Sequence, residues 1–164
     1  MSIQFHSEKA EHGAAIEAVL DRAFGPGRFA KTSERVREQG AVFLPEISRV
    51  AFAEGAIAGV CRMWRIAVGG RPALFLGPLA VDPGAQHHGL GGQLVRECAA
   101  AGRAAGESAI ILVGAAAFFQ PLGFSLIPQG AISLPGPVNP QRFLWTALRP
   151  GGTDALEGPV TAPY

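Results

Sequence analysis

The sequence predicts an α/β (α+β) fold: a mixed, mostly antiparallel central sheet containing a splayed parallel pair and flanked by helices. The segments Ile47–Ala53 and Ile57–Val68 are apolar runs joined by a tight turn, which is typical of an antiparallel hairpin. Further along, a helix connects the apolar segments Ala73–Val81 and Ala109–Val113. A strand–helix–strand connection of this kind places its two strands parallel in one sheet.

The composition excludes several classes of protein. The chain has 164 residues, 48% of them hydrophobic and 16% charged, which is too apolar for a disordered protein. The net charge of +1 provides no general attraction to nucleic acid or to an anionic membrane. Gly, Pro and Arg interrupt every apolar run before about 18 residues, the length that a membrane span needs.

The expected organisation is a single domain over residues 1–150, followed by a tail, 151–164, that packs on it or extends it. Charged residues stand at positions 8, 9 and 11, where a signal peptide would be apolar. Because the two cysteines cannot frame a disulfide scaffold, we expect a reduced, cytoplasmic compartment. The 12 Arg against 2 Lys suggest a GC-rich, bacterial genome. Cys61 and Cys98 frame no disulfide scaffold, have no metal-ligand spacing and are expected to be buried.

The N-terminal elements are predicted to be a strand and two helices. Residues 8–24 carry one apolar stripe, with Ser7 as the candidate N-cap. A shorter, more polar helix is predicted over about Ala30–Gln39, ending at Gly40. After the hairpin and the apolar strand, the chain is expected to form these further elements: helix Gly91–Ala101, strand Ala109–Val113, helix Ala115–Gln120, and strands near Phe124–Ile127 and Arg142–Leu148.

The strand Ala73–Val81 is almost wholly apolar, which places it in the middle of the sheet. Gly77-Pro78 lies at its centre, and because Pro has no N–H to donate to a neighbouring strand, a bulge or splay is expected there. A splayed strand leaves backbone groups facing a cleft, where an extended ligand carrying amides can pair as an extra strand.

A glycine-rich loop, Gln86-His87-His88-Gly89-Leu90-Gly91-Gly92, joins this strand to the next helix. Backbone N–H groups and the positive end of the helix dipole favour an anion there, such as a phosphate or pyrophosphate. The loop is not a dinucleotide fingerprint, since Leu94 stands where a third Gly is needed, and it lacks the Lys of a Walker loop. A plain strand-to-helix turn is the alternative interpretation.

Two segments resemble the GNAT superfamily of N-acetyltransferases. The run L-G-P-L-A-V-D-P-G-A-Q-H-H-G-L-G-G-Q-L is similar to its acetyl-CoA-binding motif, whose core is Arg/Gln-x-x-Gly-x-Gly/Ala. The run V-G-A-A-A-F-F-Q-P-L-G-F resembles the segment that follows, and the order of elements over residues 3–148 also matches. The tail resembles that of a small, uncharacterised bacterial subgroup. The resemblance implies a GNAT-like acyl-CoA N-acyltransferase fold.

The resemblance implies that acetyl-CoA is the co-substrate and that the acceptor is an amine of a small molecule or a protein. We expect no metal, because the adjacent His87 and His88 cannot easily face one ion and the other two histidines lie far off in sequence. The composition leads us to expect no nucleic-acid or membrane partner, and a homodimer is left open. The backbone of Leu79 corresponds to the donor that stabilises the oxyanion. The residues that would contact the cofactor are Leu79, Ala80, Val81, Gln86, His87, His88, Gly89, Leu90, Gly91 and Gly92.

The catalytic side chains are not identified by the resemblance. Phe119 occupies the position where the family usually has a Tyr that acts as the general acid. The strand Ala73–Val81 also lacks a carboxylate, and Asp82 after it is more typical of a turn. Trp64 and Trp145 are candidates for a substrate pocket, although sheet packing is the commoner role of such residues.

The sequence therefore supports three hypotheses. The leading one is an acetyl-CoA-dependent N-acetyltransferase. The second is a non-catalytic acyl-CoA-binding or regulatory module that kept the cofactor loop, which Phe119 favours slightly. The third is an unrelated phosphate-binding α/β protein, which would bind nucleotides that lack pantetheine.

Overall fold

A computed structural model of the chain describes residues 2–25 and 31–163. Within them the helices are α1 (Gly13–Phe24), α2 (Thr32–Glu38), α3 (Leu90–Ala104) and α4 (Ala116–Phe119). The strands are β1 (Ile3–Ser7), β2 (Val42–Phe43), β3 (Arg49–Ala53), β4 (Ala56–Val68), β5 (Arg71–Val81), β6 (Ala109–Val113), β7 (Ser125–Leu126), β8 (Ile132–Ser133), β9 (Phe143–Ala147) and β10 (Gly158–Thr161).

The sheet runs in the order β1-β3-β4-β5-β6-β9-β7. The long strand β4 pairs with β5 along one edge, and its other edge pairs in turn with β3, β2 and β10. Among the described strands, β5 with β6 and β8 with β10 are parallel, and all other pairs are antiparallel. The predicted mixed, mostly antiparallel sheet with a parallel pair is confirmed.

The core lies on both faces of the sheet, so β5 is buried on both sides. Leu74 and Leu76 pack with α3 on one face, whereas Phe75 belongs to a second cluster on the other face. Helix α1 forms a third cluster with β3, β4 and Ala80. Such double burial is why β5 has an unbroken apolar sequence rather than an alternating one.

Cys61 and Cys98 are both free and fully buried, as predicted. The Cys98 thiol lies 3.6 Å from the carbonyl oxygen of Cys61. A side-chain hydrogen bond with Cys98 and burial together raise the pKa of the Cys61 thiol well above its usual range. Both cysteines therefore act as small core residues. In the described part of the chain, no helix has both the length and the apolar character that a membrane crossing needs.

The start of the first helix differs from the prediction. Ser7 is not its N-cap but the last residue of β1, where it pairs with Arg49 of β3. Residues 10–12 form a 3₁₀ turn, and α1 begins only at Gly13. Glu8, assigned to the helix from sequence, is buried and accepts hydrogen bonds from Arg62 of β4. Pairing between β1 and β3 thus prevails over the local capping signal.

Other boundaries shift in the same way. Strand β3 begins at Arg49 rather than Ile47, because Ser48 folds back and donates both its N–H and its hydroxyl to the Leu44 carbonyl. Helix α2 covers Thr32–Glu38, and the predicted start at Ala30 lies outside the described residues. The sequence did not predict β2, β8 or β10, since strands of two to four residues carry too little periodicity.

Candidate functional site

The site is built where the parallel strands β5 and β6 separate. They pair only at Leu74 and Phe75 and then diverge. Just beyond this point the register of β5 against β4 shifts, so that Leu76 pairs with Met63 but Leu79 pairs with Cys61. Two residues of β5, Gly77 and Pro78, therefore stand opposite one residue of β4. The bulge predicted from the Gly-Pro pair is confirmed.

Side chains hold the bulge from neighbouring elements. The indole N–H of Trp64 donates to the Gly77 carbonyl over 2.6 Å. On helix α2, Arg37 packs against Gly77 so closely that a Cβ added at Gly77 would lie 3.3 Å from its Nη1 atom. Trp64 itself packs on Phe43 of β2, with 5.1 Å between ring centroids. Trp64 thus orients the bulge rather than lining the cavity next to it.

Beyond the bulge, the N–H and C=O groups of successive β5 residues point alternately toward β4 and away from it. The Asp82 N–H donates to the Ala58 carbonyl over 2.7 Å, which makes Asp82 and Ala58 a hydrogen-bonded pair. In an antiparallel ladder the bonded and non-bonded pairs alternate. Ala80 therefore also bonds to β4, whereas Leu79 directs its N–H and C=O to the opposite side, into the gap left by β6.

A cavity of about 450 Å³ fills this gap. Its floor is the β5 edge from Leu76 to Leu79, and Val113 and Phe119 form part of its wall. Helix α2 contributes the polar side chains of Thr32, Ser33, Glu34 and Arg37, and the chain before β9 adds Val138, Asn139 and Arg142. The cavity lining thus combines apolar residues with a few polar side chains, which is typical of a small-molecule site.

The main charged group of the cavity is an ion pair on α2. A single Glu34 oxygen, Oε2, accepts from Arg37 Nη2 at 2.7 Å and from Nε at 3.2 Å. Both side chains are largely buried, with 20% of Glu34 and 9% of Arg37 exposed. Glu34 is the only carboxylate among the described residues that line the cavity. It can therefore act there as an acceptor of protons or of hydrogen bonds.

The glycine loop follows β5 directly, and Asp82 fixes its first turn. Asp82 Oδ1 accepts from the Gly84 N–H at 3.1 Å, and Oδ2 pairs with Arg22 of α1 at 2.6 Å. The Gly84 hydrogen bond and the Arg22 guanidinium lower the pKa of the Asp82 carboxyl. Asp82 therefore begins a turn, as its position suggested, and does not line the cavity.

Helix α3 begins at the end of this loop. Gly89 adopts φ +69°, a left-handed conformation that favours glycine, and no side chain caps the helix. The first helical bond runs from Gln93 N–H to the Gly89 carbonyl over 3.2 Å. The N–H groups of Leu90, Gly91 and Gly92 precede that bond and have no partner within the helix, the arrangement that attracts an anion.

The predicted cofactor residues form one continuous strip from β5 to α3. Gln86, His87 and His88 contribute backbone to a 3₁₀ turn over Pro83–His88. The side chains of Ala80 and Leu90 are buried, so these two residues can contribute only backbone groups. Gly91 lies beside the end of β5, because a Cβ added there would be 3.8 Å from Val81 Cγ2. Contact of this strip with a cofactor stays a prediction.

Two aromatic side chains border the strip and the cavity. Phe119 is 7% exposed, contacts the Phe118 and Phe124 rings edge-on, and also lines the cavity. Phe118 is 41% exposed, and its Cζ atom lies 3.2 Å from where a Gly91 Cβ would stand. Phe119 therefore belongs to the core and to the cavity wall at once, while Phe118 covers the start of α3.

Sequence reasoning missed the contribution of α2. The Glu34–Arg37 spacing of three residues is a readable ion-pair signal, but the same spacing is common on solvated helices. Only the packing of α2 over the bulge brings the pair to the cavity. Of the two roles that the sequence allows for Trp64 and Trp145, sheet packing is the one the structure shows, since both pack on a core cluster and neither lines the cavity.

Comparison with known proteins agrees with this architecture. A family model for the acetyltransferase (GNAT) domain matches residues 40–126, which is more than half of the chain. Among curated proteins, none matches the sequence.

Solved structures extend the similarity over almost the entire chain. The GNAT family N-acetyltransferase YhbS from Escherichia coli, crystallised with CoA, is 25% identical with a TM-score of 0.82, and the match covers 98% of this chain and 89% of that one. A GNAT family acetyltransferase from Brucella melitensis in complex with acetyl-CoA is 25% identical, with a TM-score of 0.63 and coverage of 87% and 94%.

The ribosomal-protein-S18-alanine N-acetyltransferase of Escherichia coli shares the fold at 19% identity. Its TM-score is 0.63, and the match covers 90% of this chain and 94% of that one.

We predict that Asp82→Ala destabilises the protein by about 0.5–2 kcal/mol, the usual cost of removing a capping side chain. Because folding lowers the pKa of Asp82, its contribution is fully present above the ordinary Asp pKa of about 3.9 and is lost as the pH falls through the lowered value. Thermal melts should show a Tm difference at pH 7 that shrinks below about pH 4. Arg22→Gln, which removes only the exposed ion pair, should cost less. An Asp82→Ala protein as stable as the parent at pH 7 would contradict the capping role.

Proposed function

Because this chain belongs to the GNAT family of acetyltransferases, we propose that it transfers an acetyl group from acetyl-CoA to a primary amine of a small molecule or protein. The observation that carries the proposal is the cavity at the β5 bulge, which adjoins the strip leading to the N-terminus of α3. One end of this path offers N–H groups for a pyrophosphate. The other end offers a partly apolar space in which an amine can meet a thioester.

The proposed path of the co-substrate follows the strip. Its pyrophosphate accepts hydrogen bonds from the backbone between Gln86 and Gly92. The pantetheine arm runs along β5 past Leu79, whose N–H and C=O point into the gap, and Phe118 supplies an apolar surface beside it. The acetyl group then reaches the cavity next to Gly77 and Pro78. Two matched structures were solved with CoA or acetyl-CoA, which supports a CoA thioester as the co-substrate of this chain.

The proposed reaction is direct acyl transfer. The amine nitrogen attacks the thioester carbonyl carbon, a C–N bond forms, and the negative charge on the carbonyl oxygen is stabilised by the Leu79 N–H. Glu34 accepts the proton that the amine loses, directly or through water. The C–S bond then breaks and CoA leaves as a thiolate. Phe119 has no proton to give, so the thiolate takes its proton from water.

The proposal is tested by measuring CoA release and N-acetylated product on a panel of primary amines. Glu34→Gln should lower kcat by about 10²-fold or more, since general acid–base catalysis contributes about 10²–10⁴-fold. Glu38→Gln is the matched control, because Glu38 lies exposed at the end of the same helix and does not line the cavity. Binding of acetyl-CoA without transfer to any amine would instead support the non-catalytic acyl-CoA-binding module.

The glycine loop gives a prediction on binding. Gly89→Val should weaken CoA binding at least about 10-fold, because a side chain at φ +69° forces the loop backbone to change. Gly106→Val is the control, since Gly106 has φ +81° and similarly open surroundings but follows α3. Both variants should lose about 1–2 kcal/mol of stability, yet calorimetry should show lower CoA affinity only for Gly89→Val. His87→Ala should change the affinity little, because the loop binds through its main chain. Equal CoA binding by the Gly89 variant and the parent would remove the loop from the site.

The Phe119 position gives a prediction on the catalytic rate. Phe119→Tyr should raise kcat by about 10-fold or more without changing CoA affinity, because the ring borders the cavity and the new hydroxyl can donate a proton to the thiolate. Phe52→Tyr, which adds the same hydroxyl to a ring on β3 that does not line the cavity, should leave the rate unchanged. Steady-state kinetics and melting curves on the same proteins decide the outcome. A lower Tm without a rate gain would show that the hydroxyl is buried unpaired, at a cost of about 1–3 kcal/mol.

A further inference from the structure

The described residues that line the cavity carry an excess of positive charge. Lys31, Arg37 and Arg142 are cationic, and Glu34 is the only anion among them. Glu34 is already paired with Arg37 through two hydrogen bonds. The charges of Lys31 and Arg142 are therefore not balanced within the cavity lining.

Hydrogen bonds fix the backbone of Arg142, whereas its side chain has no polar partner among the described residues. Its N–H donates to the Asn139 carbonyl over 2.9 Å, and its carbonyl accepts from the Gly114 N–H over 2.8 Å, just after β6. The Asn139 side chain stabilises the same turn by accepting from the Gln141 N–H. Across the described residues, the Arg142 guanidinium forms no ion pair or hydrogen bond. This turn thus presents a guanidinium at the edge of the cavity.

Lys31 places a second cation at the cavity, ahead of α2. Its Nζ atom lies 4.4 Å from the centroid of the Phe24 ring, which also lines the cavity. An aromatic face orients an ammonium group but does not neutralise its charge. No carboxylate in the described part of the chain pairs with Lys31. The cavity therefore has two separate cations available to an anionic ligand.

The rest of the lining limits the size and character of that ligand. The volume of about 450 Å³ is near the lower end for small-molecule sites, and part of it is needed for the acetyl group. Leu76, Pro78, Val113 and Val138 provide apolar surface. A ligand that fits is a small molecule with an apolar portion and a negative charge, and a polycation would be repelled.

We propose that the acceptor is a small primary amine that also carries a carboxylate, such as an amino acid with an apolar side chain. Arg142 and Lys31 bind the carboxylate. The guanidinium of Arg142 can donate two parallel hydrogen bonds to the two carboxylate oxygens. The apolar lining takes up the side chain, and the amine faces Glu34. This inference rests on the proposed acetyl transfer, to which it adds the acceptor class.

The experiment compares leucine and phenylalanine with their amides and with phenethylamine and spermidine. Calorimetry measures binding of each to the CoA-loaded protein, and kinetics measures kcat/KM for acetylation. We expect the acids to bind at least tenfold more tightly than the amides, and spermidine not to bind. Arg142→Gln and, separately, Lys31→Gln should weaken binding of the acids but not of the amides. Arg149→Gln is the matched control, because Arg149 is exposed and lies away from the cavity.

The outcomes separate the acceptor class from the reaction. Amides that bind or react as well as the acids, an Arg142→Gln protein that keeps the acid preference, or no binding by either acid would each overturn the carboxylate inference. Acids that bind with the expected preference but are never acetylated would uphold the inference about the ligand and overturn the proposed reaction.

Discussion

Proline has no N–H to donate, and Gly77-Pro78 stands where an uninterrupted β5 would continue its pairing with a neighbour. The resulting bulge and the separation of β5 from β6 after Phe75 leave a gap in the sheet. Backbone groups of β5 face this gap instead of a neighbouring strand. A closed parallel pair would fill that space with hydrogen bonds and leave neither a cavity nor a strand edge directed into it. Trp64 and Arg37 then hold the bulge in one conformation, the first by a hydrogen bond and the second by packing. The remaining features of the site are positioned relative to this bulge.

The strands around the bulge are supported by β4, which is paired along both of its edges. One edge of β4 pairs with β5, and the other pairs with β3, β2 and β10 in turn. The tail strand β10 closes the far end of that edge, where Gly69 packs so tightly against the Glu157 carbonyl that no side chain would fit. Residues far along the chain thus stabilise the strand that carries Trp64. A mobile β4 would not hold a carbonyl such as that of Gly77 in a fixed direction.

The charges of the site are divided between its two ends. At the α3 end, partial charges of backbone N–H groups provide the positive potential, which suits a group bound through the main chain. At the cavity end, ionised side chains from α2 and from the turn before β9 lie around the apolar residues of β5. Side chains rather than backbone therefore set the charge at the cavity end.

The sequence by itself determined the sheet class, the hairpin, the crossover from β5 to β6 and the position of the bulge. Each of these depends on neighbouring residues: an apolar run, a turn, or a Pro that cannot donate. The glycine loop is equally local, which is why it was recognisable. Tertiary structure decided the rest, because Glu34, Arg37 and Arg142 look like ordinary surface residues until α2 and the turn before β9 pack around the gap. It also decided that Ser7 pairs in β1 instead of capping α1, since a strand partner 42 residues away leaves no local signal.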